Sequence, residues 1–518
     1  MNLQETKSKL PVSFPYLIAI GAVYFAVQLI TGGNYPIFRD EYYYIDCAKH
    51  LAFGYVDHPP FSIVILALWK FIFGDSQFSI RIIPALLGAS TIILGGFIAS
   101  EMGGSKKAQI FTAISVLCSP AYLGLASIYS MNSFDLVFWA MMFYVIIKII
   151  NTGNEKLWLW FGVIAGLGLM NKISVGYLGA GLVIAMLLTK ERKWFKNKYF
   201  WLGGIIAGAV FLPYIIWNMQ NDFAGIEFIR NATKFKNVYM SPLDFLKEQI
   251  LQMNPINAPV WITGLTALFI SKALRKYRFI AITYIVIFMI LILNNGKPYY
   301  LAAAYISIIP AGSIALTEFF ERKRLKFLMP AYAAILIIVE TLLSPVILPV
   351  LSPGSLAAYI DKIGLKPSSG EKSKQGILPQ FMADHFGWLE LAQEMSRVYN
   401  TLSDDEKKKT VIAVSNYGEA SSLNYFAKKY GLPKVYCAHN NHWIWAYDYG
   451  FDGIENIIIL GGKREDHLEK FDNVTEAGKT ADNPYAMPYE TNLPIFIGRH
   501  LKAGIILKEV WKKQKEFI

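Results

Sequence analysis

The chain has 518 residues, 54% of them hydrophobic and only 17% charged, with a mean hydropathy of +0.35. A soluble domain carries about 25% charge, so one soluble core does not account for this sequence. The net charge of +12 would suggest nucleic acid in a soluble protein, but here many Lys and Arg sit between apolar runs, as membrane anchors do, and no nucleic-acid partner is expected. Cys47, Cys118 and Cys437 are too few and too scattered for a disulfide framework or a metal-ligand spacing.

From the N-terminus, Lys7 and Lys9 precede an apolar run without a small-residue cleavage site, which reads as an uncleaved first span. A helix needs about 20 mostly apolar residues to cross the hydrocarbon. Eleven runs meet or approach this: 14–31, 80–100, 108–126, 134–150, 157–171, 173–189, 199–217, 258–271, 278–293, 299–317 and 327–350. The run 61–74 is shorter, follows Pro59-Pro60 and contains Lys70. If it does not cross, the basic segments around Lys106-Lys107, Lys156, 190–198, 272–278 and 322–324 all fall on one side, as the positive-inside rule demands. It is therefore read as a juxtamembrane or re-entrant helix. The loops 32–79, 127–133, 218–257 and 294–298, the turn at Lys172 and the tail from 351 then lie outside the cytoplasm.

The tail has the polar mix of a soluble domain, set off by Pro353-Gly354 and by Pro367-Ser368-Ser369-Gly370. Val411-Ile412-Ala413-Val414 and Ile457-Ile458-Ile459-Leu460 read as buried strands, and 388–400 and 419–430 as helices. The expected organisation is a polytopic α-helical membrane domain over 1–350 and an extracytoplasmic α/β domain over 351–518.

Unusual polar residues gather in the outer loops. Asp40-Glu41 follow the first span, Asp57-His58 abut Pro59-Pro60, and Asp135 lies at the mouth of a span. Each has a plain alternative, a solvated loop or a helix cap, but ionisable groups at the membrane edge are functional candidates by default. Lys172 and Lys297 occupy tight outer turns against the positive-inside bias, which an adjacent anion such as a lipid phosphate would explain, although snorkelling anchors are the simpler reading. Together these groups suit sugar transfer from a phosphate-linked carrier, which needs a carboxylate base and cations for the departing phosphate. Asp40 is the best candidate base; Lys172, Lys297 and His58 are candidate phosphate binders. No cofactor is demanded, while a divalent metal on Asp40, Glu41 and Asp135 stays open. His439 and His442 form a pair without a third ligand.

Several motifs carry a family likeness. Arg39 to Arg81 holds Asp40-Glu41, Tyr43, Gly54-Tyr55-Val56-Asp57-His58-Pro59-Pro60, Phe73-Gly74-Asp75 and Arg81. Asp135, Gly166-Leu167-Gly168-Leu169-Met170-Asn171-Lys172 and Lys297-Pro298-Tyr299-Tyr300 follow. In the tail stand Ala383-Asp384-His385-Phe386-Gly387-Trp388, Asn416-Tyr417-Gly418-Glu419-Ala420 and His439-Asn440-Asn441-His442-Trp443. In order and spacing this resembles the protein O-mannosyltransferase superfamily, in the branch with the lipid A aminoarabinose transferases. The resemblance implies a GT-C fold, a polyprenyl-phosphate sugar donor, a lipid, glycan or protein acceptor, and usually inversion. It implies Asp40 as base and carries the acid and cation before Pro59-Pro60 onto Asp57 and His58 and the second-loop acid onto Asp135; Glu41 joins the candidate catalytic set, and Lys172, Lys297 and Tyr299 stand with His58 as candidates for the donor phosphate. Asp57 and Arg81 support the loop. His58 departs from the Lys of some relatives and, when neutral, would grip phosphate less firmly. A glycolipid transporter or flippase is the alternative, disfavoured because no internal repeat is visible and the polar residues gather at one face.

Overall fold

The computed structural model describes residues 12–367 and 370–518; the expected anchors Lys7 and Lys9, and Ser368 and Ser369 of the linker, lie outside the described residues. The chain forms two compact units. The first holds the described residues up to Gly33, Phe78–Ile216 and Tyr239–Val350. The second holds Asn34–Gln77, Trp217–Val238 and Leu351–Ile518, so two stretches from the apolar part of the sequence group with the tail.

Long apolar runs become helices in the first unit because only a helix or a closed barrel satisfies every backbone group without water. By length and composition, six described helices can cross a membrane: Phe14–Thr31, Gln77–Glu101, Met131–Thr152, Lys198–Gln220, Arg275–Leu293 and Leu328–Val346. The pair Pro298–Tyr305 and Ile309–Arg322, bent by 55°, makes seven if it counts as one span, or forms a re-entrant loop. Leu157–Asn171, Val175–Leu187 and Pro255–Ile270 are shorter apolar helices. Every expected run is helical, but two are not single rods. The run 299–317 contains the bend. The run 108–126 divides into Lys106–Leu117 and Pro120–Leu125, with Ser119 extended at φ −121° and ψ 112°. Proline disfavours helical geometry in the residue before it, and Pro120 imposes that break.

The ends of this unit differ in chemistry. Lys107 Nζ bonds Glu321 at 3.0 Å, Asn151 Nδ2 donates to the Glu101 carbonyl at 2.6 Å, and Lys276 Nζ donates to Asn151 Oδ1 at 2.9 Å. Lys106 Nζ lies 3.8 Å over the Tyr16 ring, and Trp158 packs edge-on to Trp194 at 5.8 Å. The basic loops thus share one end. At the other end, Arg81 Nη1 donates to the Gly32 carbonyl, tying the close of the first span to the start of Gln77–Glu101. The chain thus leaves and re-enters this unit at one end, and the run 61–74 forms the helix Phe61–Phe73. Within the unit, a Cβ at Gly264 would overlap the Ile308 carbonyl, and one at Gly312 the Val260 carbonyl. Backbone-to-backbone approach of this kind is how small residues hold membrane helices together.

The second unit is built on a five-stranded sheet of order β2-β1-β3-β5-β4, with β1 Thr410–Val414, β2 Val435–Cys437, β3 Asn456–Leu460, β4 Phe471–Lys479 and β5 Pro494–Leu501. β2, β1 and β3 are parallel, with Ile412 paired to Val435 and Ile458; β5 runs antiparallel to β3 and β4, with Ile497 opposite Ile458. Parallel neighbours need a crossover, supplied by the helix Tyr417–Tyr430 between β1 and β2. That helix and Trp388–Tyr399 cover one face, burying Leu391, Met395 and Leu423 against Ile412, Ile458 and Ile497. Ile37 and Tyr42, from the loop after the first span, are part of the same core. The loop is therefore welded to the sheet rather than resting on it.

Candidate functional site

Asp40 opens the helix Arg39–Cys47. The helix starts here because Glu41, fully buried, accepts the Phe38 N–H at 2.9 Å, satisfying a backbone donor that the first turn leaves unpaired. Glu41 thus faces the backbone and Asp40 faces outward, its side chain 36% exposed. Asp40 Oδ1 accepts the Tyr417 hydroxyl at 2.7 Å and lies 3.4 Å from Arg39 Nε. Its Oδ2 makes no hydrogen bond among the described residues.

Arg39 is the hub of this cluster. Its guanidinium lies 3.4 Å from Asp384 Oδ2 and 3.9 Å from Glu371 Oε2, donates to the Tyr489 hydroxyl at 3.0 Å, and sits 5.3 Å over the Tyr417 ring. Lys236 bonds the other oxygen of Glu371 at 3.6 Å. Burial pushes the Asp384 carboxyl up to about 7, outweighing an Arg39 that Asp40 and Glu371 share. Burial likewise raises the Tyr417 phenol, which stays protonated and able to donate. His439, edge-on to Tyr417 at 5.0 Å, is driven down to about 3 by burial and by Lys236, so it is neutral. Its Nε2 bonds the Ile518 carbonyl at 2.8 Å.

The approach of Tyr417 to Arg39 requires the next residue to be glycine. A Cβ at Gly418 would stand 2.6 Å from Arg39 Cγ and 3.0 Å from the Trp388 ring. Asn416 caps this helix start, accepting the Gly418 and Glu419 N–H groups at 2.9 and 3.1 Å, and Glu419 reaches back to the Ser415 and Asn416 N–H groups. Asn416 also donates to Glu490 at 3.0 Å. Burial raises both Glu419, to about 6, and Glu490, which the neighbouring Glu419 charge lifts further.

Asp57 and His58 lie deeper in the same unit. Asp57 Oδ1 accepts the Tyr43 hydroxyl at 2.9 Å, and Asn441 donates to that hydroxyl at 2.6 Å. The His58 side chain is fully buried, stacked on Tyr44 at 4.9 Å and beside Tyr55 at 5.0 Å, its Nε2 3.9 Å from Asp57. His442 meets Ser421 Oγ at 2.9 Å and lies 3.8 Å from Asp46. His442 thus packs against the loop while His439 holds the Ile518 carbonyl, and among the described residues no group of three His, Cys, Asp or Glu side chains is arranged to hold a metal ion.

The remaining expected residues belong to the first unit, at the end opposite its basic loops. The helix Met131–Thr152 is capped by Ser130, whose hydroxyl accepts the Asn132 N–H at 3.2 Å, so Asp135 is not needed as a cap. Asp135 Oδ2 accepts the Ser174 hydroxyl at 2.8 Å and lies 3.7 Å from Lys172 Nζ. Lys172 also donates to Asn132 Oδ1 at 2.7 Å and lies over the Tyr300 ring at 4.6 Å and the Tyr299 ring at 5.7 Å. Lys297, half-buried, immediately precedes the turn Pro298–Leu301. Asp135, Lys172 and Tyr299 thus come together, with Lys297 beginning the same turn. Arg81 fastens the span end described above. Asp40, Glu41, Asp57 and His58 are in the other unit. Sequence reasoning assigned no role to Arg39, Asp384 and Tyr417, though it picked out their motifs, and it did not single out Glu371, Tyr489 or Lys236. The available signals were the cation beside Asp40 and the glycine after Tyr417.

The likeness to solved structures gives the class: apolar helices, several short and one pair bent, together with a small mixed sheet make up a GT-C fold. Residues 57–217 match the model of the family described as dolichyl-phosphate-mannose-protein mannosyltransferase. The chain is similar in fold to ArnT from Cupriavidus metallidurans bound to undecaprenyl phosphate, with a TM-score of 0.58 and 12% identity, over 94% of this chain and 98% of that one. It is also similar to the mycobacterial arabinofuranosyltransferase AftD, with a TM-score of 0.51 and 13% identity over 95% of this chain and 40% of that one. An uncharacterized protein from Aquifex aeolicus (strain VF5) is 25% identical over 281 residues, 52% of this chain; the match spans about half the length of that relative, 54%.

Proposed function

We propose that this protein is a membrane glycosyltransferase that moves a sugar from a polyprenyl-phosphate carrier to a hydroxyl of a lipid, glycan or protein acceptor, on the extracytoplasmic face. The observation that carries the reading is Asp40: a half-exposed carboxylate with one oxygen held by Tyr417 and Arg39 and the other unbonded among the described residues. A carboxylate so presented suits the removal of a proton from an attacking hydroxyl. The acceptor oxygen bonds the anomeric carbon, the bond from that carbon to the phosphate oxygen breaks, the proton passes to Asp40, and polyprenyl phosphate departs with the bonding electrons. Attack opposite the leaving group inverts the anomeric centre.

The phosphate needs cations, and Lys172 and Lys297 with Tyr299 supply them in this reading. Lys172 is prepaid with the Asp135 carboxylate, so Asp135 sets how much of its charge a phosphate sees. In this reading Glu41 fixes the turn that presents Asp40, and Asp57 with the buried His58 stiffens the loop. Among the described residues no three His, Cys, Asp or Glu side chains are grouped to hold a metal ion, and no step in this reading passes through a metal. The ArnT structure that shares the fold was obtained with undecaprenyl phosphate, which supports a carrier of that chemistry.

The test is an assay of the purified protein in lipid with a panel of polyprenyl-phosphate sugars, wild type against Asp40→Asn. Transfer should fall by orders of magnitude while the variant inserts and folds. Undiminished transfer would remove Asp40 as base; movement of intact glycolipid across the bilayer without bond cleavage would replace the reading with a flippase.

A further inference from the structure

We infer that Tyr417, in the C-terminal part of the chain, is a positioning residue for the Asp40 carboxylate, so that the sheet-bearing tail is a working part of the active site. The inference rests on the reading of Asp40 as base.

The geometry is specific. A carboxylate at a helix start can rotate about its terminal torsion through a broad well, so its two oxygens would otherwise exchange. Here Oδ1 is claimed twice, by the Tyr417 hydroxyl at 2.7 Å and by Arg39 at 3.4 Å. That leaves Oδ2 without a hydrogen bond among the described residues. Tyr417 is itself packed in place: its ring is buried, with the Arg39 guanidinium 5.3 Å and Lys236 5.8 Å from its centroid and His439 edge-on. Arg39 is anchored by Asp384 and Tyr489, both from the tail. Each group that orients Asp40 is therefore fixed by residues contributed from beyond position 380, apart from Glu371 and Lys236. A phenol kept protonated by burial donates and never competes for the proton that Asp40 takes up.

A tail that served only to stabilise the loop would not need this contact, because Ile37 and Tyr42 already anchor the loop in the sheet core. Removing a neutral donor from a charged acceptor typically costs a factor of about 10 to 100. Tyr417→Phe keeps the ring, its cation contacts and its packing, and deletes only the hydroxyl. The expected result is a loss of about 10-fold to 100-fold in kcat, with the KM for the polyprenyl-phosphate sugar unchanged and thermal unfolding near wild type. In the Asp40→Asn background, Tyr417→Phe should cause no further loss, because the carboxylate it orients is gone. A merely structural tyrosine would instead lower the two variants' rates independently, or would raise KM and lower the melting temperature together. Full kcat in Tyr417→Phe with Asp40→Asn inactive overturns the positioning role and leaves the base standing. Full activity in Asp40→Asn overturns the base itself.

Discussion

Gly418→Ala pits two effects of known size against each other. Gly418 is the second residue of the helix Tyr417–Tyr430, where alanine should help by at most about 1 kcal/mol. Against this, the new methyl would stand 2.6 Å from Arg39 Cγ and 3.0 Å from Arg39 Cδ and Trp388. Arg39 cannot swing aside cheaply, since Asp384, Tyr489 and Asp40 hold its guanidinium and its side chain is only 10% exposed. Overpacking costs about 1–3 kcal/mol. Parting Arg39 from a buried Asp384 adds to it, although Asp384 can answer by taking a proton, which limits that addition. Packing wins, with a net loss of about 2 kcal/mol. For a unit of this size that is a fall in melting temperature of roughly 4–8 °C. Thermal unfolding in detergent, followed by circular dichroism, measures it, and transfer activity should fall as well because Arg39 moves off Asp40. A variant as stable as wild type, or more so, would mean Arg39 yields without cost and the cluster is not rigid.

Two further outcomes are expected. Asp384 and Glu419, raised to about 7 and about 6, contribute stability that is full below the ordinary carboxylate range and lost as pH climbs through those values. His439 and His442, lowered to about 3 and about 4, contribute above the ordinary histidine value and lose it only as pH falls through 4 and 3. The advantage of wild type over Asp384→Asn in melting temperature should therefore shrink as pH rises from about 4 to about 7 and level off above that; a difference that stays flat or grows over this range would contradict the assignment. The native cysteines are all buried, so single reporters label against a quiet background. Lys193→Cys should label only from the cytoplasm and Asp404→Cys only from outside; the reverse pattern would invert the orientation read from the basic loops.

The helices were legible because an apolar run in lipid has one common solution, and the strands at 410–414 and 456–460 because each is a short apolar block between turns. β4 and β5 were not, since Asp472-Asn473 and Arg499-His500 break any simple apolar pattern and those strands are defined by their partners. The division of 108–126 was written in Ser119-Pro120, but its strong hydrophobicity hid it. Asp40 could be singled out from its place after the first span. Its setting could not, because Tyr417 lies 377 residues further on and Arg39 reaches Tyr489 across 450. Only the close approach demanded of Gly418 left a local mark. Asp135 and Lys172, 39 or 40 residues from their partners Ser174 and Asn132, were nearer to being read as a pair.

A unit stitched from three distant stretches constrains biogenesis. Asp40 emerges from the ribosome 377 residues before Tyr417. At about 5–20 residues per second, that interval is roughly 20–75 s. Throughout it the loop carrying Ile37 and Tyr42 has no sheet to enter, and these apolar side chains must wait in the company of lipid or a chaperone. Completion of the setting around Asp40 is thereby deferred until Tyr417 and Tyr489 have been synthesised.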